Sequence, residues 1–206
     1  MTRVQLQCRC GTMRGVADDV RPEGGNHIVC YCDDCQAFAQ FLMRQGGPND
    51  LLDAYGGSEI FQMTPSQIAL TAGEDKLRVM RLSQKGLMRW FAGCCRTPIG
   101  NTASRASVPF VGLLRSFMAP ADRPLDDVLG PVLGYIQTRF ATKPPPHASS
   151  KLPLGLIGRS IGLMAGAWIR GKSRPSPFFD ASSGAPVILP QVLTPAERDQ
   201  LRPPPS

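Results

Sequence analysis

Apolar and polar residues alternate at Val4, Leu6 and Cys8, the period of a half-buried strand, and Gly11 and Gly15 then permit sharp turns. A second extended run is HIVCYC (27–32). Beyond Asp33 and Asp34, Phe38, Phe41 and Leu42 recur at helical spacing, predicting a short helix over Gln36–Met43 with an acidic first turn. Gly46, Gly47, Pro48 and Asn49 end it. Strand-like pieces follow at SEIFQM (58–63), QIALT (67–71), LRVMRL (77–82) and LMRWF (87–91). Pro65, Gly73-Glu74-Asp75 and Lys85-Gly86 separate them, so an antiparallel β core is expected. The last two pieces form a hairpin that delivers Cys94 and Cys95 at its end.

PVLGYIQTRF (131–140) reads as a helix opened by Pro131. KPPPHASS (143–150) reads as a linker. The apolar stretch from 152 carries glycines at 158, 162 and 166. SPFFD (176–180) and PVILPQVL (186–193) read as extended pieces returning to the core. TPAERDQL (194–201) has a helix start with Thr194 as cap, Pro195 in the first turn and Glu197 completing a capping box, and RPPPS frays the end. The expected fold class is mainly β, an antiparallel β core with a C-terminal extension containing one or two helices. The expected units are a β domain over 1–142, the linker at 143–150 and an apolar, basic extension over 151–206.

The chain has 206 residues, 42% of them apolar, with 21 Gly and 20 Pro, which suits short elements and many turns rather than a long bundle. Net charge is +7, and more than half of the excess lies beyond residue 150. No basic-aromatic motif accompanies that charge, so nucleic acid is not expected as a partner. The opening MTRVQLQCRCG lacks the apolar run of a secretory signal, and a reducing, cytoplasmic compartment is the expectation. Seven cysteines, an odd number, agree with it.

The cysteines fall in three groups: Cys8-x-Cys10-Gly11, Cys30-x-Cys32-x-x-Cys35 and Cys94-Cys95. On a strand, residues two apart share a face, so Cys8 with Cys10, and Cys30 with Cys32, can present their sulfurs together. Such a pair lies too close along the chain for an unstrained bridge. Thiolates are soft ligands, and four fill a tetrahedron around zinc at ~2.3 Å. An ion joining distant loops contributes on the order of 10 kcal/mol to folding. Buried thiols acting as small hydrophobes are the plainer alternative, but scattered thiols would rarely group in this way. All seven, Cys8, Cys10, Cys30, Cys32, Cys35, Cys94 and Cys95, are therefore candidate ligands of one or two zinc ions per chain.

Cys8-Arg9-Cys10-Gly11, Cys30-Tyr31-Cys32-Asp33-Asp34-Cys35, and Arg89-Trp90-Phe91 before Cys94-Cys95-Arg96-Thr97-Pro98 resemble the glutathione-dependent formaldehyde-activating family. That family includes centromere protein V and has a mostly β, Mss4-like fold; the resemblance covers about residues 3–140. It implies a structural four-thiolate zinc site from the first and third groups, with Cys8, Cys10 and Cys95 as ligands. It implies a second, catalytic zinc on Cys30, Cys32 and Cys35. The implied activity is that of a carbon–sulfur lyase acting on an S-hydroxymethylglutathione type of adduct, with glutathione as partner. The family's third motif is Cys-x-x-Cys-Gly, whereas this chain has Ala92-Gly93-Cys94-Cys95-Arg96. Either Cys94 substitutes, or the site keeps three protein ligands, or it has lost its metal. Arg96 in place of the glycine also gives up easy access to positive φ.

Other candidates each have a plainer reading. His27 is a fourth ligand or a partly exposed strand histidine, and His147 is solvated. Asp33 and Asp34 serve as an acid or base beside the metal or as caps of the 36–43 helix. Arg89 and Arg96 attract a glutathione carboxylate or are surface charges. Residues 152–169 form a packing helix; contact of 152–174 with a membrane surface is the second reading, since ~27 Å of helix falls short of spanning. Against the lyase stand a non-catalytic zinc-stabilised protein-interaction module and, more weakly, a thiol redox protein. The latter lacks the βαβ surroundings expected of Cys32-x-x-Cys35.

Overall fold

The computed structural model describes residues 2–119, 123–146 and 154–202. His147 with the linker's 147–150 part, the start of the apolar stretch at 151–153 and the end at 203–206 lie outside the described residues. The strands are β1 (Val4–Gln7), β2 (Arg14–Ala17), β3 (Asn26–Cys30), β4 (Ser58–Met63), β5 (Ile68–Ala72) and β6 (Leu77–Arg81). They continue as β7 (Met88–Ala92), β8 (Pro98–Thr102), β9 (Val111–Leu114), β10 (Met118–Ala119), β11 (Gly134–Ile136) and β12 (Gln191–Val192). The helices are α1 (Asp33–Arg44), α2 (Leu125–Leu129), α3 (Leu154–Ile169) and α4 (Pro195–Asp199). The fold is mainly β, as the alternating pattern predicts.

The strands form two sheets, one of four in the order β10-β1-β2-β5 and one of eight in the order β11-β3-β4-β9-β8-β7-β6-β12. Pairing is antiparallel except at the two edges of the larger sheet, where β11 runs parallel to β3 and β12 to β6. The period of two divides each strand between faces. Phe61, Leu113, Trp90 and Val79 point inward and meet Val4, Leu6, Ala17 and Ile68 of the smaller sheet in one core. The opposite face carries Met80, Leu82 and Phe91, which pack under Ala37, Phe38, Phe41 and Leu42 of α1. Phe38 and Phe41 stand edge-on to Phe91 at 6.4 and 6.0 Å, the arrangement favoured by ring quadrupoles. On the same outer face, Ile28, Ile60 and Leu114 surround Cys30 and Cys35. Strand β7 is buried along its whole length because both of its faces are covered.

The C-terminal residues complete this core. Phe178, fully buried, lies 5.0 Å from Trp90 between ring centroids, and Leu193 and Leu201 join the α1 cluster. At the start of α4, the Thr194 hydroxyl accepts from the Glu197 N–H and the Glu197 carboxylate accepts from the Thr194 N–H, which is the expected capping box.

One expected element is overturned. Residues 131–140 are not a helix opened by Pro131 but the edge strand β11, followed by a 3-10 turn over Thr138–Phe140. The backbone groups pair with β3: Leu133 N–H donates to His27 C=O, and Tyr31 N–H to Ile136 C=O. Gly134 leaves room for α3 over this edge, since a Cβ there would stand 2.8 Å from Leu156 Cδ2. Gln137 then turns the chain at φ 57. No helix among the described residues is long and apolar enough to cross a membrane.

Candidate metal centres

Cys8 and Cys10 lie in the turn that follows β1, not on the strand itself. Gly11, at φ +75, lets the turn close, and its N–H donates to Cys8 C=O at 2.8 Å. Met13 N–H points at Cys8 Sγ from 3.2 Å. Cys94 and Cys95 occupy the corresponding turn after β7. Ala92 N–H bonds Thr97 C=O, and Arg96 N–H bonds Ala92 C=O, both at 2.8 Å. Gly93 is needed there, because a Cβ would meet Arg78 Cγ at 2.9 Å and Lys76 C=O at 3.0 Å. Arg9 N–H donates to Thr97 Oγ1 at 3.0 Å and ties the two turns together.

The four sulfurs of these turns lie within 4.8 Å of one another. The nearest separations are 3.6 Å for Cys8–Cys10, 3.8 Å for Cys8–Cys94, 3.4 Å for Cys10–Cys94 and 3.8 Å for Cys94–Cys95. Four sulfurs at ~2.3 Å from a central zinc define a tetrahedron with edges of about 3.8 Å. The set fits that ion. Every separation is far beyond the ~2.05 Å of a disulfide. Ala92 stays inside β7 with its side chain in the core, and Cys94 supplies the thiol absent at 92. Since β1 belongs to the smaller sheet and β7 to the larger, an ion here would join the two.

The protons divide unevenly. Hydrogen bonding to the Thr12 hydroxyl and backbone lowers the Cys10 thiol to about 6, whereas burial and neighbouring thiols push Cys94 up to about 12. Such a set already favours part of the deprotonation that metal binding completes.

The second group lies on the outer face of the larger sheet. Cys30 ends β3, Cys32 is the N-cap of α1 with its sulfur accepting from Cys35 N–H at 3.3 Å, and Cys35 sits in the first turn. Their sulfurs also lie within 4.8 Å of one another, and no fourth His, Cys, Asp or Glu joins them among the described residues. Cys30 and Cys35 are buried, and Ile136 and Leu156 pack over the group. The helix N-terminus favours negative sulfur there. Hydrogen bonds from Cys30 and Cys32, then the charge of Arg89, hold Cys35 well below the ordinary thiol range, while hydrogen bonds with Cys32 and Cys35, then burial, raise Cys30.

Arg89 is therefore not a surface charge. It is 3% exposed, its Nη1 stands 3.9 Å from Cys35 Sγ and 3.3 Å from Asn101 Oδ1, and its guanidinium lies over Phe38. Nor are Asp33 and Asp34 caps of a helix at 36–43: α1 starts at Asp33, and Cys32 takes the cap. Arg202 engages both carboxylates, at 3.2 Å for Asp33 and 2.6 Å for Asp34. His27 is buried rather than partly exposed, bonded to Gly130 C=O and to Glu59 Oε1 at 2.7 Å each, and it does not join the sulfurs. Three residues before Cys30, it points to the opposite face of β3. Arg96 takes φ +58 where a glycine would be easy, with its guanidinium over Phe91 and bonded to Gly93 C=O.

Residues 1–189 match DUF6151, a family of unknown function. The chain belongs to that family. No curated protein matches this DUF6151 member. It is similar to a solved protein of Rhodobacter sphaeroides at 17% identity and a TM-score of 0.38, over 64% of this chain and 98% of that one. In this DUF6151 member, Leu156 packs on the three-thiol group, Asn101 holds Arg89 and Arg202 engages Asp33 and Asp34, none with a sequence signal that ties it to the site. Arg202 lies beyond the matched residues, in a proline-rich end. Asn101 could be approached only through its pairing opposite Arg89.

Proposed function

We propose that this DUF6151 chain is a zinc protein whose two thiol groups serve different ends. Cys8, Cys10, Cys94 and Cys95 hold a structural ion that joins the sheets. Cys30, Cys32 and Cys35 hold an ion that accepts an external thiol, for cleavage of a carbon–sulfur bond in a thiol–aldehyde adduct of the S-hydroxymethylglutathione type. The observation that carries the reading is donor number: four sulfurs in one group, three in the other, with no fourth His, Cys, Asp or Glu beside the latter among the described residues. Closed structural zinc sites use four protein ligands, and reactive ones keep a position for substrate. The resemblance of the cysteine motifs to the formaldehyde-activating family supports the substrate class.

Zinc held by the three thiols would supply Lewis acidity that lowers the proton affinity of an entering thiol. Arg89 offsets part of the negative charge of three thiolates, and the first turn of α1 orients Cys32 and Cys35. In the cleavage direction the carbon–sulfur bond breaks and sulfur keeps the electron pair. The adduct hydroxyl releases its proton as the carbonyl forms, and the sulfur ends protonated. Asp33 and Asp34, held by Arg202, are charge partners in this scheme, so the proton is exchanged with water.

Incubating zinc-loaded protein with glutathione and formaldehyde, and following the adduct by NMR, tests the activity. Exchange faster than the uncatalysed reaction, lost in Cys32→Ser, is expected. A rate equal to the background, with both ions bound, leaves the second reading, a non-catalytic zinc-stabilised protein-interaction module. That reading is favoured by the cover that Ile136 and Leu156 place over the thiols.

A further inference from the structure

Helix α3 turns the usual amphipathic arrangement around. Its polar residues face the protein: Arg159 donates to Asn26 Oδ1 at 2.8 Å and to the carbonyls of Pro22, Glu23 and Gly25, and Ser160 reaches Gln62 Oε1 at 3.2 Å. Leu156 and Ala167 pack inward as well. The residues left outside are apolar. Leu154, Ile157, Ile161, Trp168 and Ile169 are 71, 42, 59, 68 and 78% exposed. A single exposed leucine is ordinary; a continuous apolar helix face marks a surface that something covers.

The charges beside that face point to its occupant. Arg170 and Lys172 follow the helix directly, are exposed, and have no carboxylate partner among the described residues. An apolar helix face bordered by tryptophan and unpaired cations fits the boundary between lipid headgroups and acyl chains. The 16 residues of α3 would reach only ~24 Å at 1.5 Å per residue, so the helix lies in that boundary and does not cross it. A second copy of the chain would cover the apolar residues, but with a net charge of +7 it would bring further positive charge toward Arg170 and Lys172.

We infer that the outer face of α3 docks this protein onto an anionic lipid surface, with Ile157, Ile161, Trp168 and Ile169 entering the interface and Arg170 and Lys172 meeting the headgroups. The inference is independent of any reaction at the thiols.

The test uses full-length, zinc-loaded protein and two kinds of vesicle, pure phosphatidylcholine and a 70:30 mixture with phosphatidylserine. Trp90 is fully buried and Trp168 is exposed, so a blue shift on lipid addition and quenching by brominated lipid report Trp168. Co-sedimentation with the anionic vesicles, and little with the neutral ones, is expected. The double variant Arg170→Glu/Lys172→Glu should lower the partition coefficient ~10-fold or more. Ile157→Ser/Ile161→Ser should weaken binding to a similar degree with zinc content unchanged. Absence of the protein from anionic vesicles, or equal binding by these variants, would overturn the inference. So would a dimer that shields Trp168 without lipid, because it would assign the face to a second copy.

Discussion

The guanidinium of Arg89 stands 3.9 Å from the sulfur of Cys35, 54 residues away in the chain, with both side chains buried. A cation placed beside three thiols reduces the repulsion among them when they ionise, and Asn101 and Phe38 hold it there. Residues that orient and balance metal ligands commonly change affinity by ~10–100-fold. Arg89→Leu is expected to weaken zinc at Cys30, Cys32 and Cys35 by that order and leave the other site unchanged. Competition with a chromophoric chelator, read as two release phases, checks it; equal weakening of both phases would assign Arg89 only a packing role.

Cys8 and Cys94 bring the two sheets within 3.8 Å between sulfurs. Cys94→Ser should lower the melting temperature by about 10 °C or more, corresponding to a loss of roughly 3 kcal/mol or more in a chain of this size. Cys30→Ser should cost less, because Cys30 joins a strand to the helix that follows it and not one sheet to the other. Calorimetry of the two variants, each with its zinc content measured, compares them.

His27 and Glu59 form a buried pair that should leave a signature in pH. Burial alone would depress His27, but the hydrogen bonds with Glu59 and Gly130 prevail and raise it above 6.5. Burial likewise works against Glu59, while His27 and Arg115 lower it below 4.5. The histidine's contribution is therefore complete below pH 6.5 and fades as pH rises through its folded value. The carboxylate's is complete above 4.5 and fades as pH falls through its own. His27→Gln should cost about 1–3 kcal/mol. The difference from the parent should be largest at pH 5–6 and smaller at pH 9. Denaturant titrations of both proteins at each pH cancel the shared effect of acid on the metal.

Leu156 and Ile136 pack over the three-thiol group. Leu156→Ala should open that cover, and in metal-free protein the half-buried Cys32 should react with iodoacetamide several-fold faster as its sulfur becomes more accessible. Peptide mapping of the alkylated sites measures it. An unchanged rate at Cys32 would place the access route elsewhere.

Strand β4 and the β6–β7 hairpin were legible because alternation and turn residues coincide there, and α4 because its cap and Glu197 stand at the required spacing. Residues 131–140 misled because Pro131 suits the first turn of a helix, while the parallel docking of β11 on β3 is a long-range contact. The grouping of seven cysteines was legible from spacing alone. Whether Cys94 could replace a thiol at 92 was not, since that depends on a turn in which Arg96 accepts a left-handed conformation. Arg89 looked like a surface charge because no pattern within β7 reveals that α1 covers its outer face.

The most direct measurement is zinc per chain by elemental analysis of protein purified with zinc supplied, for the parent and for variants lacking each cysteine group. Two ions in the parent and one in Cys30→Ser, which stays folded, are the expected result. Protein that holds no zinc and melts identically in strong chelator would contradict the account.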